Sequence, residues 1–331
     1  MYKWLIVFFS LSTVIVSNYL TEACFGCSKH TYKLYSKHIR NIARLSDLRK
    51  LNDLALIGTH VSFSYRTTLE EIKSQELNIH QQLMSGIRVF DIPVRPNGNS
   101  FELCMSYISL NIDLHRALIP MYKFLYNYPR EFIIMNIYQD PDSIMSYNEQ
   151  FYTNCEIIDY YIKHTYGGRF LTTNWTLEDH IKDHRGKILV ATSDESFSGC
   201  AFNINQHCLV QKDEMVHKHK KPPHIFNKWD SISNLIKDSQ RHFFKCYVND
   251  ISFSNGIHTR RAIAKDGGYD FRSQCPRPMN EIMAEKFINP HRGLLLIFVD
   301  FVTQNLIDVV HNSNHYHHHH ASHHESCNSF Q

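Results

Sequence analysis

Gly86-Ile87-Arg88-Val89-Phe90-Asp91-Ile92 is the stretch on which the fold turns. It is β-rich, continues to Val94, and places a carboxylate where a core strand would choose an apolar side chain. Similar short apolar runs lie on either side: Leu54 to Gly58, Phe101 to Met105, Phe132 to Tyr138, Lys187 to Ala191, Lys245 to Val248 and, most apolar of all, Leu294 to Val299. Helical patterns separate them. Leu114, Ala117, Leu118, Met121, Phe124 and Leu125 recur at helical spacing, and Pro129 ends the stripe. Further helices are predicted through Ile157, Ile158, Tyr161 and Ile162, from an N-cap at Thr176, and through Leu306, Ile307 and Val310. Strands buried on both faces that alternate with helices imply a parallel α/β sheet, and seven or eight such units suit a TIM-type (β/α) barrel. No G-x-G-x-x-G follows the first strand, which argues against a dinucleotide-binding sheet.

The bulk composition agrees. A chain of 331 residues with 43% hydrophobic and 13% aromatic content is long enough for one large core. A formal net charge of +3 supplies no concentrated basic face, so nucleic acid is not the expected partner. Met1-Tyr2-Lys3, the apolar run Trp4 to Val16, then Ser17-Asn18 and Ala23 follow the order of a secretory signal peptide. The run is shorter than the roughly 20 residues a spanning helix needs. The expected organisation is therefore a signal peptide over 1–23, a Cys-containing segment over 24–45, a barrel over 46–312 and a His-rich disordered tail over 313–331. No transmembrane segment is expected once the signal is removed, and the expected location is extracellular.

Nine cysteines suit an oxidising compartment, and an odd number leaves one outside any internal pairing. Cys24-Phe-Gly-Cys27 reads as a structural pair rather than a redox motif, and a local bridge between Cys200 and Cys208 is plausible from their flanking of one loop. Asn174-Trp175-Thr176 is a glycosylation sequon. His317, His318, His319 and His320 form a tract with incidental metal affinity, and no metal is expected in the barrel itself. The basic stretch from His217 to Lys221 reads as a solvated loop.

Barrel enzymes place their chemistry at the C-terminal ends of strands. His60 closes Leu56-Ile57-Gly58-Thr59-His60, Asp91 sits in the stretch quoted above, and Asp300 ends Leu296 to Phe301. Each alone has a structural explanation, as a cap or an Arg partner. Together and in this order they resemble the X-domain family of phosphatidylinositol-specific phospholipase C. Its pattern is a G-T-H turn, a G-I-R-x-F-D-I-R strand, a strand ending in His-Gly, and a late strand ending in Asp. Tyr128-Pro129-Arg130-Glu131-Phe132-Ile133-Ile134-Met135 and Arg185-Gly186-Lys187-Ile188 resemble two further segments of the family, so the likeness runs from about residue 45 to about 312.

The resemblance implies a PLC-like phosphodiesterase barrel, regular or irregular, that acts without a cofactor on inositol phospholipids at a membrane surface. One His takes the proton of the inositol 2-hydroxyl, a second protonates the leaving oxygen, and an Arg holds the phosphate. Carried onto this chain, His60 is the base, Asp91 and Asp300 are its carboxylates, and Asp250 faces the inositol. The departures are Val61 after the His, Pro93 for the Arg of D-I-R, Met105 (or Cys104) for the acid His, and Tyr138 for a Lys. Arg95, two residues beyond Pro93, is the candidate substitute clamp. His115 is read as a helical core or surface residue. These departures predict weak or absent phospholipase C activity, with a non-catalytic headgroup- or protein-binding barrel as the alternative. A metal-dependent glycerophosphodiesterase or sphingomyelinase D-like site needs a Glu-x-Asp pair that the second strand lacks.

Overall fold

Parity along the strands sorts the core. The computed structural model describes residues 41–106, 108–140, 152–211, 225–241, 244–254, 258–267, 277–287 and 293–324. The predicted runs become β1 (Ala55–Thr59), β2 (Val89–Asn97), β3 (Ser100–Met105), β5 (Ile133–Gln139), β7 (Ile188–Thr192), β10 (Cys246–Asp250) and β11 (Leu294–Val299). Four short strands add to them: β4 (Ile108–Asp113), β6 (Leu171–Thr172), β8 (Phe202–Asn203) and β9 (Leu209–Val210). The helices are α1 (Ile79–Ser85), α2 (Leu114–Asn127), α3 (Asn154–His164), α4 (Ile181–His184), α5 (Ile204–His207), α6 (Ile225–Gln240), α7 (Met279–Lys286) and α8 (Gln304–His324).

The sheet runs β6-β7-β5-β2-β1-β11-β10-β9 with every adjacent pair parallel. Among the described residues no ladder joins β9 to β6 or β8, so the barrel is irregular and curls without full closure. Ile57, Phe90, Ile92, Met135, Val190 and Ile297 pack outward with helix residues such as Leu118, Met121, Ile157 and Leu306. Leu56, Val89, Ile134, Leu189, Val248 and Leu296 have the opposite parity and fill the barrel interior.

The matched motifs explain the lower end. Arg88 and Glu131 are both fully buried, and Arg88 Nε donates to Glu131 at 2.8 Å. The Glu131 carboxylate also accepts from Ile42 N–H (3.0 Å) and Ala43 N–H (2.8 Å). Arg185 donates to Leu45 O at 2.9 Å and pairs with Asp47 at 2.6 Å. Two motif residues thus grip Ile42–Asp47 against the barrel floor. Gly86 ends α1 with φ 116°, a left-handed backbone that favours glycine. A Cβ at Gly58 would lie 2.7 Å from Val89 Cβ, so only glycine admits β2 this closely.

Several expectations change. No helix starts at Thr176: its N–H and hydroxyl both donate to Asp179, making a turn, and the short α4 begins at Ile181. Cys200 does not bridge Cys208; among the described residues the disulfides are Cys155–Cys200 and Cys208–Cys246, and buried Cys104 belongs to neither. The Phe101 to Met105 strand is antiparallel to β2 and pairs with β4, forming a flap rather than a stave of the barrel. β2 runs past Pro93 to Asn97. Arg88 O and Val94 O face β5, so Pro93's missing donor faces the other edge, where β1 has ended and β3 pairing starts only at Val94.

α8 continues to His324, Ser313 and Asn314 are buried, and the Asn314 amide bonds both the N–H and C=O of Ala55. The signal-peptide stretch, Cys24, Cys27 and the His217 to Lys221 loop lie outside the described residues. Among those described, no helix is long and apolar enough to cross a membrane.

Candidate active site

Interior parity carried to the strand ends builds the site. On β1 it runs Leu54, Leu56, Gly58 and then His60; on β2 Val89 and Asp91; on β5 Ile134, Asn136 and Tyr138. On β10 it runs Val248 to Asp250, and on β11 Phe298 to Asp300. Apolar side chains fill the barrel below, and the next interior positions are polar because they face its mouth.

His60 Nδ1 donates to Asp300 Oδ1 at 2.9 Å. The His60 side chain is 20% exposed, whereas that of Asp300 is 1% exposed. Ser74 Oγ lies 3.4 Å from the same ring nitrogen, and Gln75 Nε2 ties His60 O to Val299 O. The second Asp300 oxygen accepts from Phe253 N–H and Arg260, both at 3.3 Å. Burial opposes a charge on His60, but Asp300, then Asp250 and Asp91, outweigh it and raise the imidazole above its ordinary value. Burial likewise opposes the Asp300 charge, yet His60 and Arg260 hold its carboxyl below the usual range. With Nδ1 committed to an ionised carboxylate, Nε2 is left as the proton acceptor.

Asp91 is held differently. Its carboxylate accepts from Asn136 Nδ2 at 2.8 Å, and from Val61 N–H and Tyr138 OH, each at 3.1 Å. Burial pushes its carboxyl up, against the pull of His60 and these donors. Burial, and then Asp91, keep the Tyr138 hydroxyl protonated far above its usual range. Val61 has φ 40°, a left-handed backbone costly for a β-branched residue; the Asp or Asn of the resembled pattern tolerates it better.

The predicted residues therefore divide. His60, Asp91 and Asp300 come together, with Asp250 near enough to act on His60 electrostatically. Asp250 itself accepts from Ser252 N–H at 2.9 Å. Arg95 is engaged elsewhere: it donates twice to Glu102, its cross-strand partner on β3. Met105 is buried at the end of β3, and Ser106 after it has φ 52°, the backbone a glycine of a His-Gly pair would adopt. Sequence reasoning missed Asn136 and Arg260. Asn136 was findable as the polar residue of Phe132 to Tyr138; Arg260 lies in an irregular segment with no comparable signal.

Among the described residues no group of three or more His, Cys, Asp or Glu side chains is arranged to hold a metal ion. The side chains of His317, His318, His319 and His320 fall outside the described residues.

No family model matches the chain. It is 24% identical over 311 residues to a 1-phosphatidylinositol phosphodiesterase of Listeria monocytogenes, covering 87% of this chain and 91% of the relative. A Staphylococcus aureus protein of the same name is 27% identical over 192 residues, 56% of each chain. Among solved structures, the Listeria monocytogenes phosphatidylinositol-specific phospholipase C superposes with TM-score 0.62 at 20% identity, over 83% of this chain and 98% of that one. A Staphylococcus aureus counterpart gives TM-score 0.65 at 18% identity over the same shares. In sequence over most of its length and in fold, the chain is similar to the phosphatidylinositol-specific phospholipases C.

Proposed function

We propose that the chain is a secreted barrel directed at inositol phospholipids, whose phosphodiester chemistry is reduced to the base half. The His60–Asp300 pair carries this reading, because an oriented imidazole with a free Nε2 is what abstracting a proton from an inositol hydroxyl requires. The hydroxyl oxygen would then attack phosphorus and form a cyclic phosphate as the diacylglycerol oxygen leaves. That oxygen needs a proton, and Met105 has none to give. The phosphate needs a cation, and Pro93 offers none while Arg95 is bound to Glu102. Asp91, Asp250 and Asp300 also place three carboxyl groups around His60 against the one guanidinium of Arg260, already engaged with Asp300, which disfavours an anionic substrate. Loss of a general acid alone costs roughly 10²–10⁴-fold in rate.

Extracellular location draws support from the disulfides Cys155–Cys200 and Cys208–Cys246, since such bonds persist in oxidising compartments, and residues 1–23 are read as the leader. The second reading, headgroup binding without turnover, is favoured by Asp91, whose carboxylate is already occupied by three donors.

The test is release of inositol cyclic phosphate from phosphatidylinositol vesicles, compared with His60→Ala. Slow product that disappears in the variant is expected. Product formed equally by His60→Ala would overturn the base assignment, and vesicle binding with no product at all would leave only the second reading.

A further inference from the structure

A second recess lies away from the barrel mouth, along the outer flank of α2, with a cavity volume of about 460 Å³. That is within the range of small-molecule sites, roughly 300–1,000 Å³. Its wall is apolar: Ile119 on one side and the stacked rings of Tyr122 and Phe170, 5.3 Å apart, on the other. The chain is shaped to admit Tyr122, since a Cβ on Gly167 would sit 2.1 Å from its ring.

Two polar atoms inside this wall lack partners. Tyr122 is 6% exposed, yet among the described residues its buried hydroxyl makes no hydrogen bond, and neither does the buried Nδ1 of His115, which also lines the recess. Buried polar atoms are costly unless satisfied, so the site expects a polar group from outside. Lys123 and Arg169 line the recess and no carboxylate does; among the described residues neither cation forms an ion pair with an acid. The Arg169 guanidinium is held over the Tyr166 ring (4.3 Å) and the Phe170 ring (4.8 Å). Tyr126 and Tyr166, 72% and 71% exposed, form an aromatic rim.

From His115 to Asn127 the recess follows about 18 Å of helix, by the rise per residue. An elongated apolar body fits such a wall, an acceptor reaches Tyr122, and one negative charge answers Lys123 and Arg169. A flat partner helix would cover the recess without reaching the two buried atoms. We infer that this flank of α2 is a binding site, separate from the barrel mouth, for a single-chain amphipathic anion with one carboxylate or phosphate headgroup.

The experiment titrates the full chain with laurate and with dodecyl phosphate, both below micelle formation, followed by calorimetry. Neutral dodecyl maltoside, dodecyltrimethylammonium and inorganic phosphate serve as controls. Both anionic amphiphiles are expected to bind one per chain, and each control roughly tenfold more weakly or not at all. The Lys123→Gln/Arg169→Gln double variant should weaken laurate about tenfold, and Tyr122→Phe roughly fivefold. Ile119→Glu, at an exposed position on the wall, should weaken laurate as well, so the inference does not depend on one variant folding; unchanged melting verifies each. Equal binding of anionic, neutral and cationic chains, or laurate binding unchanged in the charge variant, would overturn the assignment. So would no binding of either anion.

Discussion

His60 and Arg260 hold opposite oxygens of one carboxylate: Asp300 Oδ1 lies 2.9 Å from His60 Nδ1, and Oδ2 lies 3.3 Å from Arg260. The imidazole is therefore tuned by a cation it does not touch. Arg260→Gln removes that cation and leaves more of the Asp300 charge to act on the imidazole, so the His60 midpoint should move up. Asp300→Asn removes the anion and should move it down. Histidine NMR titration reads both, and shifts in the same direction would contradict the arrangement.

The same pair sets a pH dependence of stability. His60 is raised above its ordinary value of 6.5 in the folded chain, so its contribution is complete below about 6.5 and fades as pH rises through the folded value. Asp300 is depressed below 3.8, so its contribution is present above that value and fades as pH falls through the folded one. Melting curves of the wild type and His60→Gln should thus differ most in acid, above the Asp300 range, and converge in alkali. A difference that grows with pH would contradict this.

Arg88 and Glu131 lie far from such tuning and serve the fold. Glu131→Gln leaves a guanidinium buried without its counter-charge, which costs about 3–5 kcal/mol. Denaturant unfolding should show that loss while the His60 midpoint stays in place. A shifted midpoint with unchanged stability would reverse the roles given to the two ends of the barrel.

Much of this was legible in residue order. Ile87 to Val94, Phe132 to Tyr138 and Leu294 to Val299 became strands because apolar runs of that length bury both faces in a parallel barrel. His60, Asp91 and Asp300 were readable as polar interruptions at the ends of such runs, and the structure brings them together. The Arg88–Glu131 contact was not, because two motif residues 43 positions apart carry no sign of pairing in a single sequence. The disulfides failed for the same reason: proximity along the chain suggested Cys200 with Cys208, whereas packing paired each with a residue from another element. At Thr176 the local pattern fitted a helix cap, but Asp179 captured both donors and made a turn instead.

The site we propose keeps its base half and lacks the acid and the clamp. The test is cyclic inositol phosphate formation from phosphatidylinositol by the wild type and by the Met105→His/Pro93→Arg variant, each compared with its own His60→Ala form. Restoring an acid and a cation should raise the rate by roughly 10²-fold or more, all of it dependent on His60. A folded double variant no faster than the wild type, or a gain that survives His60→Ala, would contradict the account.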